Sequence, residues 1–255
     1  MPVFDTEHGP VYYRHWPAAA PRAAVVFLHG FGEHTGLYHR YGFTLNAAGI
    51  DLWAVDQYGH GLSPGPRGDV VSFAASSALA DTLTEIIERT LPGVPLVAQG
   101  HSMGSVVTLQ RLLAAPGRCR AGVISGAPLV PLRELLDADT SLDLDPAWLS
   151  RDPFYLDSLQ YDPVAFVGAD AAALGRELDG AWDRMGAELP GLSTPTLAVH
   201  GTADPIAPVG AVRAYAQDIE PLQLREFPGA RHDVLNEVEH REVAAAIIEF
   251  ISAQL

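Results

Sequence analysis

The 255-residue sequence predicts an α/β protein: a mostly parallel central sheet with helices on both faces and a helical cap inserted between two strands. Three observations predict it. Short apolar runs alternate with amphipathic stretches along most of the chain. Most of those runs are apolar throughout, as suits strands covered on both faces, whereas a strand with one wet face alternates. The alternation then stops in mid-chain for about sixty residues, more than an ordinary connection takes up. Alternating strands and helices give an open α/β sheet, and the interruption reads as inserted structure.

The elements follow in order. Tyr12–Trp16 is a candidate antiparallel strand at the start. The core strands are Ala24–Leu28, Asp51–Val55, Pro95–Ala98, Gly122–Ser125, Thr196–Val199 and Leu222–Phe227. Leu79, Leu83, Ile86 and Ile87 fall at i, i+4, i+7 and i+8, and Val243, Ile247, Phe250 and Ile251 repeat the spacing, so each set forms one apolar helical stripe. From about Leu129 to Pro190 the chain is rich in Asp, Ala, Pro and Leu, with short helical patterns and no convincing strand. The expected organisation is a core of residues 1–128 and 191–255 carrying a cap of residues 129–190.

Composition removes several function classes. Acidic residues number 31 against 16 basic ones, for a formal charge of −15, and every basic residue is arginine. Without lysine there is no Schiff-base chemistry, no pyridoxal-phosphate anchor and no lysine-bearing phosphate loop. The acidic balance argues against nucleic acid, whose binding depends on neutralising phosphates. Cys119 is the single cysteine, which excludes an intramolecular disulfide and a cysteine zinc cluster. His29, His34 and His39 stand five apart in an expected loop, no HExxH occurs, and no GxGxxG follows a strand, so neither metal nor cofactor is expected. The opening MPVFDTEHGP has no basic stretch leading into an apolar run, and no apolar run nears the roughly 20 residues of a membrane span, so a cytoplasmic protein is expected. Residues 130–190 hold 13 acids and four arginines, which makes the cap the most acidic part. That charge reads first as a solvated face, and otherwise as selecting against anionic substrates.

Two stretches match G-x-S-x-G. Gly61–Gly65 sits in a Gly/Pro-rich loop with Pro64 directly after Ser63, and reads as a turn. Gly100–Gly104 follows the strand PLVA and opens a helical run, the strand–turn–helix setting in which flanking glycines let a sharp turn lift a serine clear of the sheet edge. Ser102 is therefore the expected nucleophile. A serine hydroxyl needs a base, and the base an orienting acid. His232 follows the last strand and Asp204 the one before it, which puts both at the sheet edge where Ser102 emerges, in the order Ser…Asp…His. Asp233 adjoins His232, but neighbouring side chains diverge, so it reads as a turn residue. The oxyanion of a tetrahedral intermediate needs two backbone N–H donors, and Met103, after the nucleophile, and Phe31, in the loop after Ala24–Leu28, are in place to supply them.

Together HGFGEHTGLY (29–38), VDQYGHGLSPGPRGDV (55–70), GHSMGS (100–105), HGTADPIAP (200–208) and HDVLNE (232–237) resemble the α/β-hydrolases, and among them the monoacylglycerol lipase and lysophospholipase branch. The resemblance implies a triad of Ser102, Asp204 and His232, oxyanion donors Phe31 and Met103, and a cap over an apolar acyl channel with a polar end for glycerol, to which Glu33 and Tyr38 correspond. Leu37 stands where glycerol-recognising members carry arginine, and Ser105 where the family has a second glycine. The activity implied is hydrolysis of neutral lipid esters, monoacylglycerol first, by an acyl-enzyme route without cofactor. Short- or medium-chain carboxylesterase and aminopeptidase are the alternatives using the same triad. The expected partner is a small lipid ester, with transient membrane contact left to the cap and the oligomeric state unassigned.

Overall fold

The computed structural model describes residues 1–131 and 142–255, so residues 132–141 of the expected cap lie outside the described residues. Strands β1 (Val3–Thr6) and β2 (Gly9–Trp16) form an antiparallel hairpin, followed by β3 (Ala23–Leu28), helix α1 (His39–Ala47) and β4 (Ile50–Val55). Helix α2 (Phe73–Thr90) leads to β5 (Leu96–His101), and α3 (Met103–Ala114) to β6 (Ala121–Ser125). Next come a ribbon of β7 (Leu142–Asp143) and β8 (Gly168–Ala169), with α4 (Pro146–Leu149) and α5 (Pro153–Tyr161) between them, and then α6 (Ala172–Glu188). The chain closes with β9 (Thr196–Gly201), α7 (Val209–Asp218), β10 (Leu222–Phe227) and α8 (His240–Ala253).

Among the described residues the main sheet has eight strands in the order β1-β2-β4-β3-β5-β6-β9-β10, parallel except at the β1–β2 and β2–β4 pairs. This is the mostly parallel α/β architecture that the apolar runs predict. Strands β3, β4, β5 and β9 are buried at every position because helices cover both faces. Val26 and Leu28 pack on one side with Leu79 and Leu83 of α2 and Val106 of α3. Val25 and Phe27 face the other, against Leu45 of α1 and Ile247 and Ile251 of α8. Burial at about 25 cal/mol per Å² of apolar surface makes these two layers the main source of stability.

Two expectations need correcting. The segment before β9 is not free of strand, because β7 and β8 pair, but two residues each are too short to leave a period in the sequence. His39 is not a loop residue but the first residue of α1. Strand β1 and helices α1 and α7 add to the elements anticipated.

Register brings the functional loops together. Leu28 pairs with Gly100, His101 with Ser125, Ser125 with Val199, and Phe227 with Gly201. The loops after β3, β5, β9 and β10 therefore leave one carboxyl edge of the sheet, where open α/β folds bind ligands. No helix among the described residues is long and apolar enough to cross a membrane.

Candidate active site

Ser102 sits between β5 and α3 at φ 50°, ψ −119°, a left-handed conformation costly for a residue with a Cβ. The turn is held by close backbone approach: a Cβ at Gly100 would collide with the Gly104 carbonyl, and one at Gly104 with the Leu28 carbonyl. Ser102 N–H donates to Ser125 O at 2.8 Å. Ser105, buried, fastens the turn further: its hydroxyl lies 2.8 Å from Gly100 O and 2.9 Å from Ser125 O. Serine thus supplies a bond here that the usual second glycine could not.

His232 Nε2 is 2.8 Å from Ser102 Oγ, and His232 Nδ1 is 2.9 Å from Asp204 Oδ2. With the proton on Nδ1, the imidazole donates to Asp204 and leaves Nε2 free to accept the serine proton. Asp204 Oδ1 accepts the N–H groups of Ile206 and Ala207, each at 2.9 Å, and Oδ2 also lies 3.1 Å from His200 Nε2. Burial pushes the Asp204 carboxyl upward, but the imidazoles of His232 and His200 outweigh it and hold the group below the usual carboxylate range. A permanent anion behind the imidazole is what this arrangement provides.

Met103 is the first residue of α3, where an N–H has no intrahelical acceptor. The Phe31 N–H has no hydrogen-bond partner among the described residues. The loop carrying Phe31 is tied down on both sides. His29 Nδ1–H donates to Gly30 O at 2.7 Å while its Nε2 accepts from Gln57 N–H at 3.0 Å. His34 Nε2 reaches Asp162 Oδ2 at 2.9 Å, and Phe166 N–H donates to Gly32 O. The last two partners come from the segment between α5 and β8. On the other side of the site, the N–H groups of His232 and Asp233 donate to the carbonyls of Trp148 and Leu149 in α4.

In front of Ser102 lies a cavity whose apolar walls include Phe31, Met103, Leu144, Leu149, Leu174, Leu178 and Ile206. Four of these leucines come from the segment between β6 and β9. Glu33 reaches this wall, but Tyr38 is fully buried and does not line it. The Tyr38 hydroxyl donates to Glu33 Oε2 at 2.6 Å, Gly30 N–H donates to the same oxygen at 2.8 Å, and Tyr155 of α5 donates to Oε1 at 2.9 Å. Direct contact between Tyr38 and a leaving alcohol, which the resemblance implies, is not available in this arrangement. Burial and the neighbouring Asp233 push the Glu33 carboxyl well above the usual range, against the bonds from the two tyrosines.

Asp233, read from the sequence as a turn residue, caps the short 3₁₀ turn Val234–Asn236 and is fully buried there, where its Oδ2 accepts from Asn236. Its carboxylate gathers with Glu33 and His101 behind the triad. No spacing in the sequence marks that cluster, because its members come from the loop after β3, the end of β5 and the loop after β10.

The buried histidines have a measurable consequence. Burial lowers His29 and His60 to about 3 and His101 to about 4, so each is neutral in the fold. On unfolding each takes up a proton below roughly 6.5. Their stabilising contribution is therefore complete above about 6.5 and falls as pH drops toward the folded values, while Glu33, with its raised value, opposes with one proton. The expected loss is on the order of 3 kcal/mol per pH unit at its steepest. Urea midpoints measured from pH 7 to pH 5 should drop sharply; a flat midpoint contradicts neutral burial.

Comparison with known proteins gives the family and the fold. The family described as "Serine aminopeptidase, S33" matches residues 19–239. The chain is 31% identical to a monoacylglycerol lipase of Mycolicibacterium smegmatis, over 96% of this chain and 94% of that protein. The crystal structure of a monoacylglycerol lipase from Paleococcus ferrophilus superposes with a TM-score of 0.82 at 29% identity, covering 96% of this chain and 99% of that one. A soluble variant of Saccharomyces cerevisiae monoglyceride lipase, in complex with a substrate analogue, shares the fold with a TM-score of 0.85 at 20% identity, over 99% and 94% of the two chains. On sequence and on fold, this chain belongs to the serine aminopeptidase S33 family of α/β-hydrolases.

Proposed function

We propose that this protein is a serine hydrolase that cleaves carboxylic esters of neutral lipids, with monoacylglycerols as its first substrates. The observation that carries the reading is the hydrogen-bonded line Ser102–His232–Asp204, at 2.8 and 2.9 Å, opening onto an apolar cavity. In this reading His232 Nε2 takes the Ser102 proton as Oγ attacks the ester carbonyl. The N–H groups of Phe31 and Met103 hold the resulting oxyanion, each worth on the order of 3 kcal/mol in barrier height. The intermediate collapses, His232 returns the proton to the departing alcohol, and water repeats the sequence on the acyl-enzyme to release the acid.

The cavity also ranks the alternatives. An aminopeptidase needs an acceptor for the substrate ammonium group, yet among the described residues those of the cap facing Ser102 are leucines, and Glu33 already accepts three hydrogen bonds. Each methylene buried is worth about 0.8 kcal/mol, or roughly fourfold, so kcat/KM should climb with acyl length until the cavity is filled. A panel of acetyl to dodecanoyl esters, with a monoacylglycerol and an aminoacyl arylamide beside them, tests this. Preference for acetyl would leave a short-chain carboxylesterase, and cleavage of the arylamide would favour the peptidase.

Transient membrane contact belongs to the same reading. It is supported by α5, where Phe154 and Tyr161 are 63% and 76% exposed. With a cap this acidic, binding is expected to neutral zwitterionic vesicles and not to anionic ones. Co-sedimentation with the two vesicle types checks it, and equal binding to both would contradict the role of charge.

A further inference from the structure

We propose that Glu33 and Asp233 hold one proton between them behind the triad, the neutral Glu33 carboxyl donating to Asp233, and that this pair positions the oxyanion loop against the histidine loop. Its catalytic consequence rests on the ester-hydrolase reading above; its protonation does not.

The first observation is an orphaned atom. Asp233 is 0% exposed and its Oδ1 has no hydrogen-bond partner among the described residues, although its Oδ2 accepts from Asn236 at 2.9 Å. Buried carboxylate oxygens are rarely left so, because the lost hydration is not replaced. The second is what faces it. Glu33, 4% exposed, sets a carboxyl oxygen beside it in the same cluster, with the two side chains placed to hydrogen-bond. Two ionised carboxylates so placed, out of water, repel strongly, and one proton removes the repulsion while filling the position at Oδ1.

No other charge does this work. The groups facing the pair are Tyr38 beside α1, Tyr155 of α5, and His101 at the end of β5, with His232 behind His101 at a ring separation of 5.0 Å. Both tyrosines donate neutral hydroxyls. His101 Nε2 lies 4.0 Å from Glu33 and 3.9 Å from Asp233, beyond a hydrogen bond, and its Nδ1 is on Ser125. No arginine pairs with either carboxyl among the described residues. Glu33, His101 and Asp233 are also the residue types of a metal site. However, Glu33 Oε2 already accepts from Gly30 and Tyr38 and Oε1 from Tyr155, which leaves the carboxyl one open position, the one the proton toward Asp233 takes.

The position of the pair sets its role. Glu33 binds the N–H of Gly30, the residue before the oxyanion donor Phe31, and Asp233 follows His232 directly in the chain. One proton therefore joins the loop that stabilises the oxyanion to the loop that carries the base. Its loss would set two like charges between them. Glu33 and Asp233 are positioning residues in this account, since neither touches the reacting atoms.

Three measurements on purified full-length protein test the proposal. Infrared difference spectra at pH 7 should show a protonated-carboxyl C=O band in wild type that Glu33→Gln removes. Wild type should also lose stability relative to Glu33→Gln as pH rises, because the folded pair keeps a proton that the unfolded chain releases above about 4.5. One retained proton makes the ratio of the two folding constants change about tenfold per pH unit in favour of the variant. Finally, glutamine keeps a neutral donor toward Asp233, so Glu33→Gln should lose no more than about tenfold in kcat/KM. Glu33→Ala should lose about a hundredfold or more through misplaced loops. Absence of the band, a ratio flat with pH, or Glu33→Gln falling as far as Glu33→Ala would overturn the proposal. Stoichiometric divalent metal in the purified protein would overturn it too, by putting a cation where the proton is assigned. The first two readouts need no substrate: a protein that shows both but hydrolyses no ester would sink the ester reading and leave the shared proton standing.

Discussion

Ser102→Ala should reduce kcat for ester hydrolysis by on the order of 10⁶, with no change in the cooperative unfolding transition beyond a small shift. The magnitude follows from the role of the hydroxyl: without it no acyl-enzyme forms, and the oxyanion donors act only on direct attack by water. The fold should survive because the serine side chain is partly exposed and its one side-chain hydrogen bond is to His232. The strain at φ 50° is a property of the backbone turn, which the N–H bond to Ser125 and the contacts of Gly100 and Gly104 impose equally on alanine. Steady-state rates on a saturating decanoyl ester, with thermal melts by circular dichroism, are the measurements. Retention of even one per cent of kcat would move the nucleophile elsewhere, and Ser63, whose hydroxyl accepts from Tyr12 N–H in a turn, offers no base in its place.

Asp204→Asn is the second large effect, about 10⁴ in kcat with the fold retained. The amide oxygen can keep the two N–H bonds from Ile206 and Ala207. The amide nitrogen then takes the place of Oδ2, where it meets His232 Nδ1 and His200 Nε2 as a donor. His232 must accept at Nδ1 and carry its proton on Nε2, pointing at Ser102, which is the wrong tautomer for a base. The loss of the anion also removes stabilisation of the imidazolium formed during attack. Because the defect is in protonation, the variant should keep its KM for the decanoyl ester while kcat falls. A fall shared equally between the two, or a loss below a hundredfold, would mean that Asp204 acts by packing rather than by charge.

Much of this site was legible because its parts obey local rules. Strands β3, β5 and β9 are covered on both faces, so they read as unbroken apolar runs, and a residue just past the end of a parallel strand lies at the carboxyl edge whatever its loop does. Ser102, Asp204 and His232 each meet that condition, and the glycines around Ser102 announce a turn that tolerates no Cβ. The elements that escaped notice are those with no room for a period: β7 and β8 pair over two residues each. Glu33 and Tyr38 were legible as residues of the site, but not in their contacts. Tyr155, which completes the shell around Glu33, lies 122 positions away on α5.

From order and spacing alone follow the class of fold and the expectation of a serine nucleophile with its two partners. Hydrophobic pattern and turn chemistry are short-range properties, and they survive in the linear chain. Charge state does not. Whether Glu33 holds a proton, whether Asp204 stays an anion and whether His29, His60 and His101 remain neutral depend on which groups surround each one and on how completely water is excluded. Those are sums over residues from distant parts of the chain, and only the packed structure performs them.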